Sequence, residues 1–178
     1  VKVERDACRS AVGGTGDAKT GGNYAASLLA TNTAESEGHD QVLWLNPEKR
    51  KLIDELSGMN FFAAINGKLY TPSLNGCMLE GVTRDSIIEL AQSTGIEVFE
   101  GDLVIDDVLN AVSDGSCTEA FACGTAAIVS PISRFHDRGK NYVPKYPEGQ
   151  IAQQIRDKLL DLQEGRSKDT FGWIEVVK

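Results

Sequence analysis

Lys19 stands in GGTGDAKTGG, a segment from Gly13 to Gly22 that holds five of the chain's 18 glycines. A lysine flanked by glycines suits two chemistries. One is phosphate cradling by the nucleotide loop G-x-x-x-x-G-K-[ST]. The other is nucleophilic attack by the amine, which needs an environment that frees it of its proton and room at its tip for a flat group. The first fails at Ala18, which stands where that loop requires glycine. No strand clearly precedes the loop, and Gly21 and Gly22 oppose the immediate helix that would receive a phosphate. Against the second stands the ordinary reading of a surface lysine in a turn.

The elements that must position this lysine are read from periodicity and punctuation. Asn23 to Glu37 predicts a helix with Tyr24, Leu28 and Leu29 among its apolar positions and Gly38 as its stop. Gln41 to Asn46 is of buried-strand length. Asn60 to Ile65, Asn66-Gly67 and Leu69 to Thr71 form a hairpin signature, and Asn75-Gly76 marks another turn. TRDSIIELAQSTG predicts a helix capped by Thr83 and ended by Gly95. Ile96 to Phe99 follows as a strand and Asp106 to Ser113 as a short helix. Glu119 to Cys123 and Ala127 to Ile132 read as a strand pair. Ser133 to Pro147 is polar and glycine- and proline-punctuated, hence a loop. Gln150 to Gln163 carries Ile151, Ile155, Leu159 and Leu162 at helical spacing, and Trp173 and Ile174 are expected to fold back onto the domain.

The chain has 178 residues, 41% hydrophobic and 25% charged, which suits a single folded domain with a real core. Eighteen Lys and Arg against 26 Asp and Glu give a net charge of −8, which disfavours nucleic acid or an anionic membrane as the partner. No apolar run approaches membrane-spanning length, and Val1 to Ser10 lacks the apolar stretch of a secretory signal. Cys8, Cys77, Cys117 and Cys123 show no C-x-x-C pair, and only His39 and His136 are present. Free thiols, a cytoplasmic protein and no metal site are therefore expected.

The blocks GGTGDAKTGGNYAASLLA, QVLWLN, DELSGMNFF, LYTPSLNG, LEGVTRDSIIELA, TEAFACGTAAIVSPI and DLQEGRSKDTFGW carry more than composition. In order and spacing they resemble the large C-terminal domain of branched-chain-amino-acid aminotransferases, fold-type-IV enzymes dependent on pyridoxal 5'-phosphate (PLP). The resemblance covers essentially the whole chain. It implies a mixed α/β fold with sheets and flanking helices, a single domain over 1–178 with 1–12 as a remnant of interdomain linker, and a small N-terminal domain that lies outside this sequence. It also implies transfer of the amino group of leucine, isoleucine or valine to 2-oxoglutarate by a homodimer.

Residue by residue, the resemblance makes Lys19 the Schiff-base lysine and proton shuttle. Tyr24 becomes the partner of the cofactor's phenolic oxygen and Glu55 that of its pyridine nitrogen. Asp54 competes with Glu55, but the spacing to Met59-Asn60 favours Glu55. Leu79 packs on the ring, the Val82 and Thr83 amides and the Thr125 side chain hold the phosphate, and the Thr125 and Ala126 amides take the substrate carboxylate. Two departures stand out: Glu80 replaces a usual proline, and Ala127 and Ser130 occupy the positions of a C-x-x-C found in mammalian members. A truncated, non-catalytic PLP-binding or subunit-contact module is the alternative. Relatives acting on D-amino acids or aminodeoxychorismate are disfavoured by the GGNYAASLLA block.

Overall fold

Alternating side chains on the longest apolar run explain how the chain builds two cores around one strand. In β4 (Asn60–Ile65), Phe61 and Ala63 face one cluster with Leu43, Ile53, Leu56 and Phe135, while Phe62 and Ala64 face a second with Ile87, Ala91, Ile155 and Leu159. The computed structural model describes residues 1–175 and 177. Besides β4, its strands are β1 (Lys2–Glu4), β2 (Val42–Leu45), β3 (Ile53–Leu56), β5 (Lys68–Pro72), β6 (Val98–Gly101), β7 (Cys117–Gly124), β8 (Ile128–Pro131), β9 (Phe135–Asp137) and β10 (Lys140–Tyr142). The helices are α1 (Gly21–Ser36), α2 (Val82–Ser93), α3 (Ile105–Asp114) and α4 (Ile151–Gln163).

Pairing runs β10-β9-β1-β2-β3 on one side and β6-β5-β4-β7-β8 on the other. The two runs meet where Glu55 of β3 pairs with Asn60 of β4. This mixed α/β architecture agrees with expectation. Asn66 and Gly67, at φ 51° and 79°, make the tight turn joining β4 to β5. α2 and α4 cover the outer face of the second run, and Phe171 and Trp173 pack against the same core. No helix among the described residues is long and apolar enough to cross a membrane.

Several segments differ from the sequence reading. Lys2–Glu4, expected within the linker, is a strand lying parallel to β2 and β9. Ser133 to Pro147 is not simply a loop: β9 and β10 form a hairpin about Arg138 and Gly139, at φ 48° and 77°. Three-residue strands are too short for an alternation pattern, so only pairing partners reveal them. β3 also escaped, because IDEL places two acids in a fully buried strand. α1 starts at Gly21, two residues earlier than expected, with Thr20 extended as its cap residue. Gly21 and Gly22 thus permit a helix start. A first turn needs no side-chain packing, and glycine there costs only about 1 kcal/mol. The expected apolar face of α1 is reversed. Asn23, Ser27 and Ala34 are buried, while Tyr24, Leu28 and Leu29 are exposed.

Candidate functional site

Two side chains tie the largely exposed glycine-rich loop to the body of the protein. Asn23 Nδ2 donates to the Thr15 and Ala18 carbonyls at 2.7 and 2.8 Å, closing the loop onto the start of α1. Arg9 Nη2 donates to the carbonyls of Gly16 and Cys77 at 2.8 and 2.7 Å. Gly16 lies so close to Cys77 that a Cβ there would collide with backbone. Lys19, next to the tied loop, is exposed, and its Nζ donates to the Tyr24 hydroxyl at 3.2 Å. Five residues across a helix start bring the two side chains together.

Glu55 enters the site from β3. It is buried, with Oε1 2.5 Å from Arg9 Nη2, and it accepts from the Leu79 amide at 3.3 Å and Asn60 Nδ2 at 3.4 Å. Burial pushes its carboxyl up to about 7; Arg9 and the Leu79 amide pull in the opposite direction and win back only part of the shift. Asp54, next along the strand, points the other way and bonds Asn75 Nδ2 at 2.7 Å and Asn46 Nδ2 at 3.3 Å. Strand alternation therefore separates the two carboxylates: Glu55 faces Lys19's side and Asp54 ties down a turn.

Lys19, Glu55, Leu79, Val82, Thr83, Thr125 and Ala126 line one cavity of about 630 Å³. Tyr24 lines a small recess beside it that also touches Lys19, Glu55 and Leu79. Val82 and Thr83 are the first two residues of α2. Thr83 is not the cap; Gly81 is, and no side chain caps the helix. The opening amides of a helix have no partner within it, and here residues Gly81 to Thr83 border the cavity. A Cβ at Gly81 would run into the Asn60 side-chain oxygen, so a larger residue there must displace that amide. Thr125 and Ala126 sit on the exposed β7–β8 turn, which ends at Ile128 in a left-handed conformation, φ 60°, that β-branched residues rarely adopt. Glu80 is exposed and also lines the cavity.

Sequence reasoning missed Arg9 and Asn60. Arg9 has no local signal, because its partners lie 7, 46 and 68 residues away in sequence. Asn60 did have one: it is the polar residue opening an otherwise apolar strand.

The cavity joins an amine with a neighbouring hydroxyl, a buried carboxylate opposite, and an uncapped helix start to one side. Such a set could hold a flat, ring-nitrogen-bearing anion such as a phosphorylated pyridine. Residues 2–135 match the family described as Amino-transferase class IV. The chain belongs to that family. It is 44% identical over 176 residues to a probable branched-chain-amino-acid aminotransferase of Streptomyces coelicolor, covering 98% of this chain and 49% of the relative. It is also 44% identical to branched-chain-amino-acid aminotransferase 2 of Bacillus subtilis, covering 99% and 49%. Among solved structures of the family, a T.th. branched-chain amino acid aminotransferase with pyridoxamine 5'-phosphate superposes with a TM-score of 0.81 at 32% identity, covering 97% of this chain and 54% of that one. The present class IV aminotransferase chain thus spans about half the length of the curated relatives it matches.

Proposed function

We propose that the chain is the cofactor-bearing half of a PLP-dependent branched-chain-amino-acid aminotransferase, moving the amino group of leucine, isoleucine or valine to 2-oxoglutarate. The observation that carries this reading is the convergence of Lys19, Glu55, the start of α2 and the β7–β8 turn on one cavity, with Tyr24 at its edge. The names of the relatives, and the pyridoxamine 5'-phosphate in one of them, support the substrate class and the cofactor.

The residues present fit that cofactor. The start of α2 beside the cavity carries no side-chain cap, and the buried Glu55 carboxyl lines the same cavity. PLP bound there would supply an electron sink for the pair left behind when the substrate Cα loses its proton. Lys19 would hold the cofactor through Nζ and, once released, carry the proton at Cα. The Tyr24 hydroxyl, already bonded to Lys19, would orient the phenolic oxygen. Glu55, as the carboxylate, would pair with the ring nitrogen and so keep it protonated, since a buried negative charge is stabilised by a cationic partner. Leu79 would pack on the ring. The Val82 and Thr83 amides with Thr125 would bind the phosphate, and the Thr125 and Ala126 amides the substrate carboxylate. A homodimer acting in the cytoplasm completes the proposal.

A second reading is supported by the half-length match and by exposed Leu28 and Leu29: a module that binds PLP but turns nothing over without the rest of the enzyme. Borohydride reduction in the presence of PLP tests the first part. Wild type should fix cofactor on Lys19, located by peptide mapping, and Lys19→Ala should fix none; an equal adduct in the variant refutes the lysine assignment. Leucine-to-2-oxoglutarate transfer by this chain alone would eliminate the second reading. Transfer only on adding the complementary half would support it.

A further inference from the structure

Arg84 is fully buried, with 1% of its surface exposed, in the first turn of α2. Its Nη2 donates to the Pro72 carbonyl at the end of β5, 2.8 Å away, and to Glu100 Oε2 on β6 at 2.6 Å. Its Nε, also buried, has no partner. A guanidinium is rarely buried without full hydrogen bonding, and Glu100, its counter-ion, is 45% exposed and so partly screened by water. The first turn of α2 thus carries a buried positive charge answered only by a half-exposed carboxylate and a carbonyl. Its influence reaches the cavity wall, where it opposes the upward push of burial on the Cys123 thiol.

On the other side of the same segment Asn60 Nδ2 holds the Leu79 carbonyl at 2.9 Å. Gly81 sits between the two. A Cβ there would overlap the Asn60 side chain and lie 3.6 Å from the Arg84 Cβ.

We propose that Arg84 is a positioning residue for phosphate recognition: it locks the start of α2 to the ends of β5 and β6 and sets a buried positive charge behind the Val82 and Thr83 amides. This rests on reading the cavity as a PLP site. A residue acting in this way governs the phosphate and not the ring or the lysine linkage, so its effect is specific to phosphorylated ligands. Arg84 does not touch the ligand; it acts through the helix start and through its field.

The test compares PLP with pyridoxal, which lacks the phosphate, on the full chain, reading the visible absorbance of lysine-linked cofactor. Wild type should bind PLP more tightly. Arg84→Met should reduce the PLP-to-pyridoxal affinity ratio at least tenfold with pyridoxal binding unchanged, and Arg84→Lys should recover part of it. Glu100→Gln keeps an acceptor for Arg84 but removes the opposing charge, so it should raise the ratio. It also serves if Arg84→Met fails to fold. Equal losses for both ligands in Arg84→Met, or a Glu100→Gln ratio that stays level or falls, overturns the proposal while leaving the PLP site intact. Wild type that links neither compound overturns the PLP reading and this inference together.

Discussion

Neighbouring acids on one strand show how single residues acquire different work. Asp54 and Glu55 are chemically near-identical, yet the first bonds two asparagines and the second faces the cavity beside Arg9. The upward shift of Glu55 from 4.5 to about 7 has a definite sign. Its proton is bound more tightly in the folded chain than in the unfolded one. The stability this contributes is full below about pH 4.5 and is lost as pH rises through about 7. Chemical denaturation of the cofactor-free chain should therefore show stability falling across that window, and Glu55→Gln should remove that part of the pH dependence. A variant with the wild-type profile would show that Glu55 does not titrate there. At Gly81 the expectation is steric: Gly81→Ala must displace the Asn60 amide and should cost about 1–3 kcal/mol. PLP affinity should fall with it, measured by urea denaturation and cofactor titration. Lys19 was singled out in the sequence because a glycine-flanked lysine is a local pattern, and the family resemblance gave it a role. Arg9 was not, since its function is to join three segments that only folding brings together.

Elements reach their places through a few buried polar anchors. Glu119 in β7 is 1% exposed and accepts from the amides of Gln150, Ile151 and Ala152 at 2.9, 2.9 and 3.0 Å. A carboxylate from another element thereby performs the capping that the sequence around Gln150 lacks, and it complements the positive end of α4. Glu119→Ala would leave three donors unpaired at the start of α4 and should cost about 3 kcal/mol, with Glu119→Gln intermediate. Hydrogen exchange should localise the loss to α4, and a uniform loss across the molecule would contradict a cap. Long helices with apolar spacing, α2 and α4, were readable from sequence. The β9–β10 hairpin and β1 were not, because three-residue strands are stabilised by their neighbours in the sheet and carry too few positions for a period. α1 was placed correctly but faced wrongly. Its small residues Ser27 and Ala34 allow close approach to the sheet, which leaves Leu28 and Leu29 outward.

For the molecule as a whole, that outward face is the feature most in need of a partner. Leu28 is 57% exposed and Leu29 80%. Single exposed apolar residues are ordinary, but two adjacent leucines on the helix that also exposes Tyr24 are suited to burial by another protein surface. Under the proposed homodimer, sedimentation should show concentration-dependent association that Leu29→Glu weakens at least tenfold. Borohydride-fixed cofactor on Lys19 should persist in that variant, and undiminished association would place the contact elsewhere. The net charge of −8 gives a phosphate little general attraction, so backbone amides and local cations must supply it.

Sequence by itself pointed to the family and the mixed α/β class, because its blocks keep the family's residues in order and spacing. It also fixed the main turns, where Asn-Gly and glycine relieve backbone strain. Tertiary structure alone decided that Arg9 and Asn60 brace Glu55, that Glu119 caps a helix more than thirty residues on, and that Arg84 is buried in the first turn of α2. Each of these depends on contacts between segments distant in sequence. Their energies arise from burial and hydrogen bonding between elements that only folding brings together, and no local pattern encodes them.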